Sequence, residues 1–300
     1  MKLIIQPDAG LQPIIKAIQL AKKSIDVCVF RFDRDQIEKA LASAAQRGAT
    51  VRALIAFTNA GGENRLRKLE QRLLADGVTV ARTSDDLLRY HAKYMIVDSV
   101  LYVFGFNFTK ADTERSRSFA ISTRDHAAVK EASKLFEADL TRQPYEPSKS
   151  HLVASPDTAR TMLSAFLKGA KSSLAIYDTK VDDPDMLKLL KERVEKGVKV
   201  RLIGTIKKGS DIGVVNRKLP RRLHVRAIVR DGTRAFVGSQ SLRKNELDNR
   251  REVGLIVNNP AVARKLLQVF EEDWESAVIK DPKLEKKVAK AEKRAKQKAA

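Results

Sequence analysis

Apolar and polar residues follow two alternating patterns along this chain. Short apolar stretches, LIIQ from Leu3, IDVCVFRF from Ile25, TVRALIAF from Thr50 and VTVART from Val78, have the length and β-branched content of strands. Between them PIIKAIQLAKK, RDQIEKALASAAQRG and NRLRKLEQRLLADG space their apolar residues three and four apart, as a helix with one buried face does. Gly48, Gly77 and Gly197 fall where such helices should stop, since glycine most easily takes the left-handed conformation that ends a helix. Strands alternating with amphipathic helices predict an α/β fold in which helices cover mixed β-sheets.

The pattern occurs twice. LIIQPD from Leu3 returns as LVASPD from Leu152, AKKSIDV from Ala21 as AKSSLAI from Ala170, and GATVRALI from Gly48 as GVKVRLIG from Gly197. Further on the offset shortens, and His91, Lys93, Asp98 and Gly105 align with His224, Arg226, Asp231 and Gly238. The first half has extra chain before its histidine, including the helical stretch from Asn64 that the second half lacks. The chain therefore divides into two tandem α/β sandwich halves, 1–149 and 150–280, followed by a Lys-rich segment 281–300 that reads as a solvated helix or a disordered arm. A duplicated chain is expected to pack its halves about a pseudo-two-fold axis, so that equivalent residues meet at one interface.

Composition narrows the function classes. The 300 residues carry a formal net charge of +21, which points to an anionic partner: nucleic acid, an acidic membrane surface or a phosphorylated small molecule. No apolar run approaches the roughly 18 residues a membrane helix needs. The start MKLIIQPDAG lacks the apolar stretch of a secretory signal, so a cytoplasmic, monomeric protein is expected, with peripheral association at the inner membrane surface open to it. The one cysteine, Cys28, is expected in the core and excludes both an internal disulfide and a multi-cysteine zinc site.

The chemistry lies in the two histidine segments, YHAKYMIVDSVLYVFGFNF and LHVRAIVRDGTRAFVGSQS. If each histidine sits in a strand, His91 and Lys93 point to one face, and His224 and Arg226 do the same in the second copy. The Asp231-Gly232 pair marks a turn between two apolar runs that should pair as a hairpin. Of the four histidines, His126 and His151 have no comparable company, whereas the other two recur with a basic residue two positions on and an aspartate seven positions on. A single histidine at a strand edge is commonly structural; recurrence of the whole constellation favours chemistry.

His-x-Lys-x4-Asp, present twice and followed by Gly105 or by Gly238-Ser239, resembles the phospholipase D superfamily. The resemblance spans nearly the whole chain, and FVGSQSLRKNELDNRREVGLIV is most similar to the second motif of its bacterial phospholipase D and cardiolipin synthase branch. It implies a phosphodiesterase that forms a phosphohistidine, needing no cofactor and no metal. By that resemblance His91 is the nucleophile and His224 the general acid, with the reverse assignment left open by the symmetry. Asp98 and Asp231 would orient the histidines, Lys93 and Arg226 would bind the non-bridging phosphate oxygens, and Asn107, Ser239 and Gln240 would add contacts to the substrate. Glu252 would contact a catalytic histidine or make a surface salt bridge. The sequence departs from the family pattern at Arg226, where lysine is usual, and at GFNF, where Gly-Ser-x-Asn is usual. Ser118 in the place of Glu252 is a further asymmetry between the halves.

Three functions fit these residues. One is a phosphodiesterase or phosphatidyltransferase acting on phospholipids, which the motif details of the second half favour. Another is a nuclease or DNA-processing phosphodiesterase, which the charge favours. The third is a binding protein for anions or nucleic acid in which the Arg226 exchange has weakened catalysis.

Overall fold

A computed structural model describes residues 1–57, 63–210 and 212–278, so the Lys-rich segment 281–300 lies outside the described residues. The first half runs β1 (Lys2–Gln6), α1 (Gln12–Gln19), β2 (Ser24–Val29), α2 (Asp35–Gln46), β3 (Thr50–Ile55), α3 (Glu63–Ala75), β4 (Thr79–Arg82), β5 (Arg89–Tyr90), β6 (Tyr94–Val97), β7 (Val100–Phe104), α4 (Lys110–Glu114), β8 (Ser116–Thr123) and α5 (His126–Thr141). The second runs β9 (Leu152–Ser155), α6 (Ala159–Lys168), β10 (Ser173–Val181), α7 (Pro184–Glu195), β11 (Lys199–Ile206), β12 (Val215–Arg217), β13 (Arg222–Leu223), β14 (Arg226–Arg230), β15 (Arg234–Gly238), α8 (Lys244–Asp248), β16 (Arg250–Val257) and α9 (Pro260–Ser276). The repeat is therefore element for element, apart from α3. Between β11 and β12 no helix is found among the described residues.

Each half builds a mixed sheet, in the order β1-β8-β7-β6-β2-β3-β4 and, in the second, β9-β16-β15-β14-β10-β11-β12. The parallel pairs β2·β3 and β10·β11 are crossed by α2 and α7, as a parallel connection requires. Helix entry follows local chemistry: Asp183 accepts from the backbone of Asp185 and Met186 ahead of Pro184, and Asn259 caps α9 in the same way ahead of Pro260. Gly48, Gly77 and Gly197 adopt positive φ at the helix ends, as their positions predict.

The buried side chains form three layers. Outer cores hold α1, α2 and α3 on one sheet and α6, α7 and α8 on the other. The central core joins the inner faces of both sheets to α5 and α9; here Tyr94 meets Phe136, and Tyr177 packs between Phe119 and Phe270. Cys28 is buried in this layer, where burial pushes its thiol above the ordinary range, so it acts as a small hydrophobe. At the pseudo-axis the halves approach so closely that a Cβ on Gly105 would lie 3.0 Å from the Phe119 carbonyl and 3.2 Å from that of Gly238.

One feature differs from the sequence reading: the histidines are not in strands. β5 ends at Tyr90 and β6 starts at Tyr94, while β13 ends at Leu223 and β14 starts at Arg226. The two-residue strands before each histidine leave their own sheet and pair in parallel with the opposite one, β5 with β16 and β13 with β8. This exchange carries each histidine across the interface between the halves.

Candidate active site

The exchange fixes each histidine by its backbone first. His91 donates its N–H to the Arg251 carbonyl at 2.8 Å, and His224 donates to the Arg117 carbonyl at 3.2 Å, so each is held by the other half's sheet. Both line one cleft of about 530 Å³, together with Asn107, Asp112 and arginines 31, 65, 89 and 222.

The His91 ring lies with Nδ1 at 3.0 and 2.8 Å from the two carboxylate oxygens of Glu252, which is fully buried on β16. A carboxylate at that distance accepts a hydrogen bond from Nδ1–H, which fixes the tautomer that leaves the lone pair on Nε2. Phe30 packs edge-on against the ring at 4.6 Å between centroids. Across the cleft His224 Nδ1 lies 3.1 Å from Asp112 Oδ2, an ion-pair contact across the halves. Asp112 is held in turn by the Asn107 backbone N–H at 3.0 Å, the Asn107 side-chain amide at 2.8 Å and the Arg222 guanidinium.

Lys93 and Arg226 are buried two residues beyond the histidines and are not among the residues that line the cleft. Lys93 is 3% exposed, donates from Nζ to the His91 carbonyl at 2.5 Å and sits 5.4 Å from the Phe30 ring centre. Arg226 donates from Nε to Ser241 Oγ at 2.9 Å and places Nη2 3.8 Å from Glu246; its buried Nη1 has no partner among the described residues. An unpartnered buried guanidinium N–H is a donor waiting for an anion.

Burial sets the protonation of the site. It drives His91 well below the ordinary imidazole value, and the charges of Lys93, Arg226 and His224 push the same way. His91 is therefore neutral at neutral pH. Burial also lowers His224, but there the contact with Asp112 opposes the shift. Burial alone would raise Asp112; its contacts with His224, Arg222 and Asn107 outweigh that and hold the carboxyl well below the usual carboxylate range. Glu252 is raised by burial, with Lys93 and Arg226 opposing. Burial lowers Lys93 to about 7, reinforced by Arg226 and opposed by Glu252. Among the described residues no group of three or more His, Cys, Asp or Glu side chains is arranged to hold a metal ion.

Several residues expected at the site stand elsewhere. Asp98 and Asp231 occupy the far ends of β6 and β14, in the hairpin turns, with φ of 52° and 51°. Asp98 accepts from the backbone N–H groups of Lys22, Lys23 and Ser24 at 3.1, 2.8 and 3.0 Å, and Asp231 accepts from those of Lys171, Ser172 and Ser173. They tie the hairpins to the turns before β2 and β10 and do not touch the histidines; the carboxylates that meet the histidine rings are Glu252 and Asp112. Asn107 lines the cleft, but its amide donates to Asp112, so it positions a carboxylate. Ser239 Oγ exchanges hydrogen bonds with the backbone of Val253, and Gln240 donates to the Val153 carbonyl at 3.0 Å; neither lines the cleft.

Asp112 and Arg222 were missed by sequence reasoning. A signal for Asp112 existed: Thr109-x-x-Asp112 caps the short α4, and the same position in the second half is Glu246, which accepts from the backbone N–H of Ser241 as Asp112 does from that of Asn107. The one-residue difference between GFN and GSQS hides that alignment.

The family profile described as cardiolipin synthase, PLD-like domain matches residues 14–140 and 163–274, taking in both halves and both histidines. The chain belongs to the phospholipase D superfamily. It is 26% identical over 164 residues to the human mitochondrial cardiolipin hydrolase, covering 51% of this chain and 62% of that protein. Its fold is similar to that of the phosphatidylserine synthase of Haemophilus influenzae Rd KW20, with a TM-score of 0.66 at 14% identity over 99% of this chain and 93% of that one. The polyphosphate kinase of Porphyromonas gingivalis is likewise similar, with a TM-score of 0.76 at 18% identity, and covers 93% of this chain and 52% of its own. The chain thus spans less than two thirds of the length of two of these three relatives. No helix among the described residues is long and apolar enough to cross a membrane.

Proposed function

We propose that this phospholipase D-like protein is a phosphodiesterase or phosphatidyltransferase that works through a phosphohistidine on His91. The observation that carries this reading is the pair of imidazoles facing one cleft, each met at Nδ1 by a carboxylate of the opposite half. The scissile phosphate sits with its non-bridging oxygens on Lys93 Nζ and Arg226 Nη1, and its charge favours the protonated lysine. His91 Nε2 attacks phosphorus as the bond to the leaving oxygen breaks, and that oxygen takes a proton from Nε2 of protonated His224. Neutral His224 then removes a proton from water or an alcohol, whose oxygen attacks phosphorus and releases His91. Water gives hydrolysis and an alcohol gives transfer, with the same residues.

Arg226 does not retire the site on this reading, since a buried guanidinium keeps the charge and offers an unpartnered N–H. Phospholipid substrates are supported by the description of the matching family. A second reading, a nucleic-acid phosphodiester, is favoured by the cleft walls: arginines 31, 65, 89 and 222 line them, while Phe30, Leu66 and Leu69 are buried and offer acyl chains little surface. The test is turnover by purified protein in EDTA on vesicles of phosphatidylglycerol or cardiolipin and on single- and double-stranded DNA. Histidine-dependent cleavage is expected on one substrate class, and absence of cleavage on all of them contradicts the function.

A further inference from the structure

The two walls of the cleft differ in charge balance. In the second half Arg222, which lines the cleft, is paired with Asp112, and Lys180, which does not line it, is paired with Asp182 at 2.9 Å. Their repeat counterparts beside His91 are Arg89 and Arg31, and among the described residues neither has a carboxylate within ion-pair distance. Arg31 lines the cleft with its Nε buried and without a partner. The Arg89 guanidinium lies 5.5 Å from the Phe30 ring centre, and Phe30 packs against His91. Burial disfavours the charge on Arg89, as do Arg250 and Arg31, and the buried carboxylates Glu252 and Glu246 oppose this only in part. The acids in the wall do not relieve this: Asp112 serves His224 and Arg222, and Asp33 accepts from the Lys110 backbone at 3.0 Å.

We propose that Arg31 and Arg89, beside Phe30, form a subsite for a second phosphate next to the scissile one, so that the cleft selects phosphodiesters carrying a further phosphate group. Guanidinium pairs suit such a group because they bind phosphate in a fork and remain charged. The inference deepens the proposed function and rests on it only for the place of the scissile phosphate. Two sources share this chemistry, the neighbouring phosphate of a polynucleotide and the second phosphate of a diphosphate lipid.

Equilibrium binding to full-length His91→Ala protein tests the subsite without turnover. The probes are a thymidine dinucleotide with and without a 5′-phosphate, and vesicles containing cardiolipin or phosphatidylglycerol at matched total charge. Within one pair the extra phosphate should tighten binding about tenfold or more. Arg31→Gln with Arg89→Gln should erase that preference, while Arg31→Lys with Arg89→Lys should retain part of it; the single Gln variants serve if the double variant fails to fold. A preference in the nucleotide pair alone assigns the subsite to a polynucleotide, and one in the lipid pair alone to a diphosphate lipid. Equal affinities within both pairs, or a preference that survives the Gln variants, overturns the subsite. Loss of turnover by the wild-type protein with the binding preference intact overturns the catalytic reading alone.

Discussion

His91 and His224 stand at equivalent points of the repeat, each after a short strand that joins the opposite sheet, yet their carboxylates come from different points of it. Glu252 holds His91, and its counterpart in the first half is Ser118; Asp112 meets His224, and its counterpart Glu246 pairs instead with arginines 226, 243 and 250. The environments diverge accordingly. Burial and neighbouring cations drive His91 well below the ordinary value; burial lowers His224 too, but there Asp112, a carboxylate that stays ionised, opposes the shift. Duplication supplies two imidazoles in one cleft, and on the proposed mechanism the change of carboxylate divides their labour, His91 to attack and His224 to hold a proton.

The largest effects should come from the histidines. His91→Ala and His224→Ala should each lower turnover about 10³-fold or more. A p-nitrophenyl phosphodiester separates them, because p-nitrophenolate leaves without a proton: a pre-steady-state burst of p-nitrophenolate should recover the first step in His224→Ala and nothing in His91→Ala. Equal recovery in both variants would erase the division of labour.

Lys93→Met should lower kcat/KM about 10²-fold by removing a transition-state cation. It should also raise the melting temperature, because an ammonium has been left in a dry site. Lys93 has a folded value of about 7, below the unfolded one, so the unfolded chain binds the extra proton between these values and stability should rise with pH from about 7 to about 10. Thermal melts of both proteins across that range check this; the Met variant should lack that part of the rise.

The orienting carboxylates should matter less, about 10- to 100-fold each. Asp112→Asn removes the charge that favours protonated His224, so the alkaline limb of the kcat/KM profile should move to lower pH. Glu252→Gln should lower the rate with little movement of that limb. Matched pH profiles of the two variants decide it.

Asp98→Ala and Asp231→Ala should change kcat least. Each should cost about 1–3 kcal/mol of stability, through the loss of backbone N–H bonds to a carboxylate. Both carboxyls are held below the ordinary value by those bonds, against burial, so their contribution is present above about pH 4 and is lost as pH falls through the folded value. Urea titrations at pH 7 and at low pH, alongside the rates, check this.

These aspartates show where the sequence is legible and where it stops. The repeat, the helix and strand pattern and the histidine–cation pairs follow from periodicity and self-similarity, which local chain geometry imposes. Asp98 and Asp231 belong to the same linear motif, but the β6 and β14 strands carry them away from the histidines to the opposite end of the sheet. Asp112 and Glu252 are distant in sequence from the histidines they hold, and only the β5·β16 and β13·β8 pairings bring them together. No local spacing encodes that exchange. The family resemblance makes Asn107 and Ser239 phosphate donors, yet their partners are Asp112 and the backbone of β16.

The most direct test of the account is to quench turnover rapidly and map the covalent adduct by peptide mass spectrometry, in the wild-type protein and in His224→Ala. With the p-nitrophenyl phosphodiester, whose leaving group needs no proton, the account predicts a phosphoramidate on His91 that accumulates in the His224 variant, where no base activates the water. An adduct on His224, or turnover of the same substrate with no adduct in either protein, would contradict it.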